Sequence, residues 1–138
     1  MIILDTNVLS ELMKPSPAAA VLEWLSSQPA AALHVTSISY AEILFGIARL
    51  PDGKRRHSLA EQAHAMFQEE FAGRGLGFDA PAAPHYAELA SRRQREGRRI
   101  HAEDGMIAAI ALLYGASIVS RDSDLSGCGV AVINPWTT

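Results

Sequence analysis

Four short apolar runs constrain this chain more than any other feature. Ile2-Ile3-Leu4 closes on an acid, Asp5, and comparable runs stand at Leu33 to Ser37, Ala116 to Ser120 and Val130 to Ile133, with a weaker fifth at Gly75 to Phe78. Runs this short, apolar and β-branched without strict alternation, read as buried strands. Between them the residue pattern predicts helices over Thr6 to Met13, Ala18 to Ser27, Ser39 to Leu50, Arg55 to Ala72, Pro84 to Glu96 and Glu103 to Tyr114. Strands alternating with helices imply parallel strands joined by right-handed crossovers. The predicted fold class is therefore α/β: a mainly parallel central sheet flanked by helices on both faces. Ile43, Ile47 and Leu50 form an apolar stripe at helical spacing, whereas Met106 to Leu113 is apolar nearly all round, as a buried helix requires.

A chain of 138 residues suits one domain spanning 1–138, burying about two-thirds of its unfolded surface. With 49% hydrophobic and 20% charged residues it is neither disordered nor collagen-like. Its longest apolar run, Met106 to Tyr114, is far below the ~20 residues of a membrane span. Asp5 also interrupts the place where a signal peptide's apolar core would lie. A soluble, cytoplasmic protein with no membrane association is expected. Cys128 is the only cysteine, which excludes an intrachain disulfide and a cysteine-rich zinc site. Twelve Lys and Arg against fifteen Asp and Glu leave a net charge of −3, so bulk charge does not mark a nucleic-acid binder.

In an open α/β sheet, ligands bind at the carboxyl ends of the strands. Asp5 ends the first strand, Glu42 lies on the first turn of the helix after the second, Asp104 opens a later helix and Asp122 follows the strand at Ser117 to Ser120. Each has an ordinary structural explanation. Asp5 suits a cap before Thr6, Ser39-Tyr40-Ala41-Glu42 reads as a capping box, Asp104 sits where a helix dipole favours an anion, and Asp122 suits a turn. Together they are harder to dismiss, because carboxylates about 5 Å apart repel by roughly 3 kcal/mol per pair at an effective dielectric of 20. Either some carry protons or they hold a hard divalent cation, and oxygen-only ligation favours Mg²⁺ or Mn²⁺ over zinc. An open Mg²⁺ site leaves room for a phosphate and an attacking water, the chemistry of phosphodiester hydrolysis. The histidines His34, His57, His64, His85 and His101 lack the spacing of a zinc motif.

The residues from Ile2 to Ser10, Ile2-Ile3-Leu4-Asp5-Thr6-Asn7-Val8-Leu9-Ser10, resemble the opening of PIN-domain proteins. Ser37-Ile38-Ser39-Tyr40-Ala41-Glu42-Ile43 is similar to that family's second acidic motif, Ala102-Glu103-Asp104-Gly105-Met106-Ile107-Ala108-Ala109 to its third, and Ser120-Arg121-Asp122 to its fourth. The ending Val132-Ile133-Asn134-Pro135-Trp136 is similar to the tail of VapC and FitB-like toxins. The resemblance spans essentially the whole chain in the right order. It implies a PIN-like three-layer fold and a Mg²⁺- or Mn²⁺-dependent endoribonuclease, the toxin of a bacterial type II toxin–antitoxin system. Asp5, Glu42, Asp104 and Asp122 match the acidic, metal-holding positions, and Thr6, Asn7 and Ser120 match polar positions that support them. Asp124 stands one residue earlier than the family's further acid, so Asp122, Asp124 or both face the metal. Glu103, beside Asp104 on a helix, points about 100° away and is expected at the surface.

The resemblance also implies a homodimer, silenced by a cognate antitoxin that covers the groove, with higher toxin–antitoxin assembly and operator DNA bound only through the antitoxin. Five cations, Arg92, Arg93, Arg95, Arg98 and Arg99, crowd into eight residues. They read equally as phosphate contacts or as a solvated helix end matched to its dipole. Arg121, adjoining the acids, is the foremost candidate for substrate phosphate, with Arg92 and Arg93 as further candidates. Two rivals stand beside the nuclease. A phosphatase or phospho-acceptor using Asp5 as nucleophile lacks a second acid at Asp5-Thr6-Asn7 and a lysine after Lys54. The other is a non-catalytic module whose acidic pocket receives a basic partner peptide.

Overall fold

The computed structural model describes residues 1–137. Five strands occur among them: β1 (Ile2–Leu4), β2 (Leu33–Thr36), β3 (Gly75–Leu76), β4 (Ser117–Val119) and β5 (Val132–Ile133). Six α-helices connect them: α1 (Thr6–Leu12), α2 (Ala19–Ser26), α3 (Ser37–Ala48), α4 (Lys54–Ala65), α5 (Ala83–Arg95) and α6 (Ala102–Tyr114). Every strand pair is parallel and the order is β3-β2-β1-β4-β5, so β1 is central. The chain moves outward from β1 to β3, then returns to the other side of β1 at β4. The crevice at the carboxyl ends of β1 and β4 is thus the switch point of the sheet, where an α/β fold binds its ligand.

Successive strand residues face opposite sides, and the core divides accordingly. Ile3 and Ile118 pack with Leu89 of α5 and Ile107 and Ile110 of α6. Leu4, Val35 and Val119 pack with Val8 and Leu9 of α1, Val21 of α2, Ile43 and Ile47 of α3 and Ala63 of α4. Helices therefore cover both faces, the expected three layers. In α6, Gly105 and Ile107 to Ala111 are all buried, which explains its unbroken apolar run, and Gly115 ends it in the left-handed conformation at φ 63°. No helix among the described residues is long and apolar enough to cross a membrane.

Two predicted boundaries differ from the structure for identifiable reasons. The helix expected from Ser39 starts at Ser37, because the Thr36 hydroxyl caps it by accepting the Ser39 N–H at 3.1 Å. The capping box expected of Ser39 and Glu42 is therefore not used, and Glu42 falls in the second turn. The long helix expected over Arg55 to Ala72 is α-helical only to Ala65 and widens to a π-helical turn over Met66–Glu70, closed by Phe71 N–H to Met66 O at 3.0 Å. The wider turn lets both Met66 and Phe71, 6% and 7% exposed, reach the core below α4.

Candidate active site

Asp5 serves the end of a strand and the start of a helix. Its backbone N–H donates to Val119 O at 3.0 Å, continuing the β1–β4 ladder, while Oδ1 accepts the Thr6 N–H at 2.8 Å as the cap of α1. Oδ2 accepts the Ser120 hydroxyl at 2.7 Å, and Ser120 Oγ itself accepts the Asn7 amide and the Asp122 N–H, both at 2.9 Å. One serine hydroxyl thus ties Asp5, Asn7 and Asp122 together across the β1–β4 crevice. A second hub lies on the α3 side. Thr6 Oγ1 lies 2.8 Å from both Glu42 Oε1 and Ser39 Oγ. Thr6 has one hydroxyl proton and a carboxylate is the stronger acceptor, so Thr6 donates to Glu42 and accepts from Ser39.

The electrostatics place Asp104 and Asp122 with these groups. Burial pushes Asp5, only 4% exposed, above the ordinary carboxyl range; hydrogen bonds from Ser120 and Thr6 pull it back, and the charge of Asp122 pushes it up further. Burial likewise raises Glu42, opposed by the Thr6 hydrogen bond and reinforced by the charges of Asp5 and Glu103. Asp104, on the first turn of α6, is raised to about 6 by burial and then by the charges of Asp122, Asp5 and Glu42, with His101 opposing. Asp5, Glu42, Asp104 and Asp122 therefore share one field at one edge of the sheet. No ion pair with Lys or Arg involves any of them among the described residues.

Other expected site residues divide. Asp124 is exposed and donates its N–H to Asp122 Oδ1 at 2.9 Å, so it fixes Asp122, whose charge is the one felt by Asp5 and Asp104. Glu103 is exposed, as expected, yet its charge reaches Glu42. Arg121 stacks its guanidinium over the Trp136 ring at 4.6 Å and its charge acts on Glu11, while its backbone N–H reaches Asn7 Oδ1 at 3.4 Å. Arg93, expected to touch substrate, is instead 2% exposed. Its Nε donates to Arg98 O at 2.7 Å and its Nη1 to Asp124 O at 3.0 Å and Cys128 Sγ at 3.2 Å. Arg92 Nη2 likewise donates to Gly127 O at 3.2 Å. Both arginines reach the loop that follows Asp122, Arg93 as a buried anchor and Arg92 through one bond from a half-exposed side chain.

Sequence reasoning assigned Ser39 only to a cap and missed its contact with Thr6. The available signal was its spacing from Glu42, since residues three apart share a helix face. Glu11 was missed outright. It is 5% exposed, accepts the Ala18 N–H at 2.9 Å and pairs with Lys14 at 2.9 Å, which fixes the turn from α1 to α2. Nothing in its sequence context distinguishes it from a solvated glutamate.

Among the described residues no group of three or more His, Cys, Asp or Glu is arranged to hold a metal ion as it stands. The donor set nevertheless fits Mg²⁺ or Mn²⁺: carboxylate oxygens only, mutually repelling, and few enough to leave waters in the coordination shell.

The PIN domain family model matches residues 2–129. VapC ribonuclease Y4jK of Sinorhizobium fredii is 41% identical over 137 residues, covering 99% of this chain and 98% of the relative. Toxin FitB of Neisseria gonorrhoeae is 39% identical over 137 residues, covering 99% of each. The solved structure of FitAB bound to an IR36 DNA fragment contains a chain that superposes with a TM-score of 0.90 at 39% identity, covering 99% of this chain and 96% of that one.

Proposed function

The chain belongs to the PIN-domain family, and from that premise we propose that it is a metal-dependent endoribonuclease, the toxin of a type II toxin–antitoxin pair. The observation that carries the reading is the uncompensated carboxylate field at the β1–β4 switch point, where Asp104 is driven to about 6 by burial and by three other acids. The likeness to a VapC ribonuclease and to toxin FitB supports the reaction and the biological role.

Asp5, Glu42, Asp104 and Asp122 hold Mg²⁺ or Mn²⁺ in this reading. The bound cation supplies Lewis-acid activation of water and offsets the charge that develops on the scissile phosphate. Ser120 and the Thr6 N–H favour the ionised form of Asp5 by donating to its two oxygens, against the burial that raises its pKa. Asn7, through Ser120, locks the carboxyl ends of β1 and β4 together, and Thr6, backed by Ser39, aims Glu42. Asp124 fixes Asp122 through its backbone N–H. No side-chain nucleophile is needed. Arg121, exposed beside Asp122, is the cation assigned to substrate phosphate.

Further parts of the proposal are a cytoplasmic location, a single domain over 1–138, a homodimer, and a cognate antitoxin that carries any contact with operator DNA. The neighbouring solved complex pairs two proteins, FitAB, with a DNA fragment, which supports the partner. The test is cleavage of total RNA by partner-free protein with Mg²⁺, Mn²⁺ or EDTA, beside a folded Asp104→Asn control. Cleavage that requires both metal and Asp104 is expected. A folded wild-type protein without metal-dependent cleavage would leave the acidic pocket as a receptor for a basic partner segment.

A further inference from the structure

A separate cavity of about 490 Å³ lies between α5 and the amino end of α6, lined by Tyr86, Gln94, Arg99, Ile100 and His101 together with two alanines. Its volume falls within the roughly 300–1,000 Å³ of small-ligand pockets. No carboxylate lines it, in contrast to the adjoining acidic edge. The side-chain polar groups of Tyr86, Gln94, Arg99 and His101 make no hydrogen bond or ion pair with other described residues. Four lining residues with polar groups therefore remain available to a ligand.

The aromatic wall is held in place. A Cβ at Gly105 would stand 2.9 Å from Tyr86 Cε2, so the absence of a side chain there lets the Tyr86 ring lie directly against the first turn of α6. Phe78 braces the same ring edge-on, with centroids 5.9 Å apart at 79°. A ring fixed in this way presents its surface with little ordering cost. The cavity is also coupled to the acidic edge: His101 precedes Asp104 by three residues, and its charge acts on that carboxyl.

We infer that this cavity is a nucleotide subsite, which takes the base and ribose of the single-stranded RNA residue adjoining the scissile phosphate. The inference rests on the nuclease reading above and adds to it where substrate preference is set. Arg99 supplies a charge-assisted contact to a phosphate oxygen, Tyr86 and Ile100 offer a flat apolar surface to the base, and Gln94 presents both a donor and an acceptor to the base edge. The Arg99 charge offsets part of the repulsion that the acidic edge exerts on the RNA backbone. Arg99 thereby takes a substrate role that the buried Arg93, bound to the 123–129 loop, does not fill.

The test uses the full chain and an oligoribonucleotide spanning a cut mapped with the wild-type protein, with kcat and KM measured separately. Arg99→Ala is expected to raise KM roughly tenfold and leave kcat within about twofold, with Arg99→Lys recovering part of the loss. Gln94→Ala is expected to change the preference among the four bases at one position flanking the cut. An abasic residue at that position should erase the difference between Gln94→Ala and wild type. Unchanged KM and unchanged base preference in variants that retain metal-dependent cleavage would overturn the subsite alone, as would variants that weaken only antitoxin binding. A folded wild type that cleaves no RNA would overturn the nuclease reading and the subsite with it.

Discussion

The acidic edge and the arginine-bound loop meet at Asp122, and they treat concentrated charge in opposite ways. On one side Asp5, Glu42 and Asp104 are each pushed toward protonation by burial first and then by neighbouring acids, Asp122 on Asp5, Asp5 and Glu103 on Glu42, and Asp122, Asp5 and Glu42 on Asp104. On the other side Arg93, nearly sealed from solvent, donates to two backbone carbonyls and the Cys128 sulfur, with Arg92 and Arg98 reaching Gly127 O and Ser126 O. Charge that donates to the backbone carbonyls of a loop stabilises that loop. Charge of one sign left without a counter-ion stores unfavourable energy in the fold, which the proposed cation would release.

Substitutions can break this contrast, and the largest expected effect is at Asp104. Asp104→Asn should lower RNA cleavage by about 10³-fold. The same change removes a repelled charge, so the metal-free variant should unfold at a Tm equal to or above wild type, a stabilisation of about 1 kcal/mol for this half-exposed group. A drop in Tm with the loss of cleavage would mean that Asp104 is structural. Next in size is Arg93→Ala, which strands the carbonyls of Asp124 and Arg98; a loss of about 3 kcal/mol is expected in denaturant unfolding. Arg93→Lys should restore only part of it, because an ammonium cannot span the same acceptors.

Gly105→Ala perturbs the point where α6 presents Asp104. Its methyl would meet the Tyr86 ring at 2.9 Å, and overpacking of about 1–2 kcal/mol is expected by thermal unfolding. The smallest effect belongs to Arg95, exposed and without a side-chain partner. Arg95→Ala should stay within about 0.5 kcal/mol of wild type, which separates this member of the arginine run from the buried one.

The two regions were unequally legible in the sequence. The buried strands announce themselves because apolar, β-branched residues have few other uses in runs of three to five, and β1 spans the predicted Ile2, Ile3 and Leu4. The acids were legible only as a set: Asp5, Asp104 and Asp122 each stand at the end of a predicted element, and their meeting follows from strand order. The arginine run was legible only in part, since five arginines among eight residues do not reveal which guanidinium turns inward. That depends on Gly127 and Gly129, whose φ angles of 80° and 83° fold the following loop back under α5. The start of α3 was misplaced because Thr36 and Ser39 are both good caps, and only the end of β2 decides between them.

The proposed cation site in the carboxylate field is tested most directly by unfolding temperature against pH, with and without Mn²⁺, for wild type and Asp104→Asn. The folded-state value of Asp104, about 6, lies above its ordinary 3.8, so the folded state binds the extra proton between those limits. Metal-free wild type should therefore lose stability, relative to the variant, as pH rises from 4 through 6. Above pH 6, Mn²⁺ should raise the Tm of wild type and have little effect on Asp104→Asn. Parallel curves for the two proteins, or an equal response of both to Mn²⁺, would contradict the account.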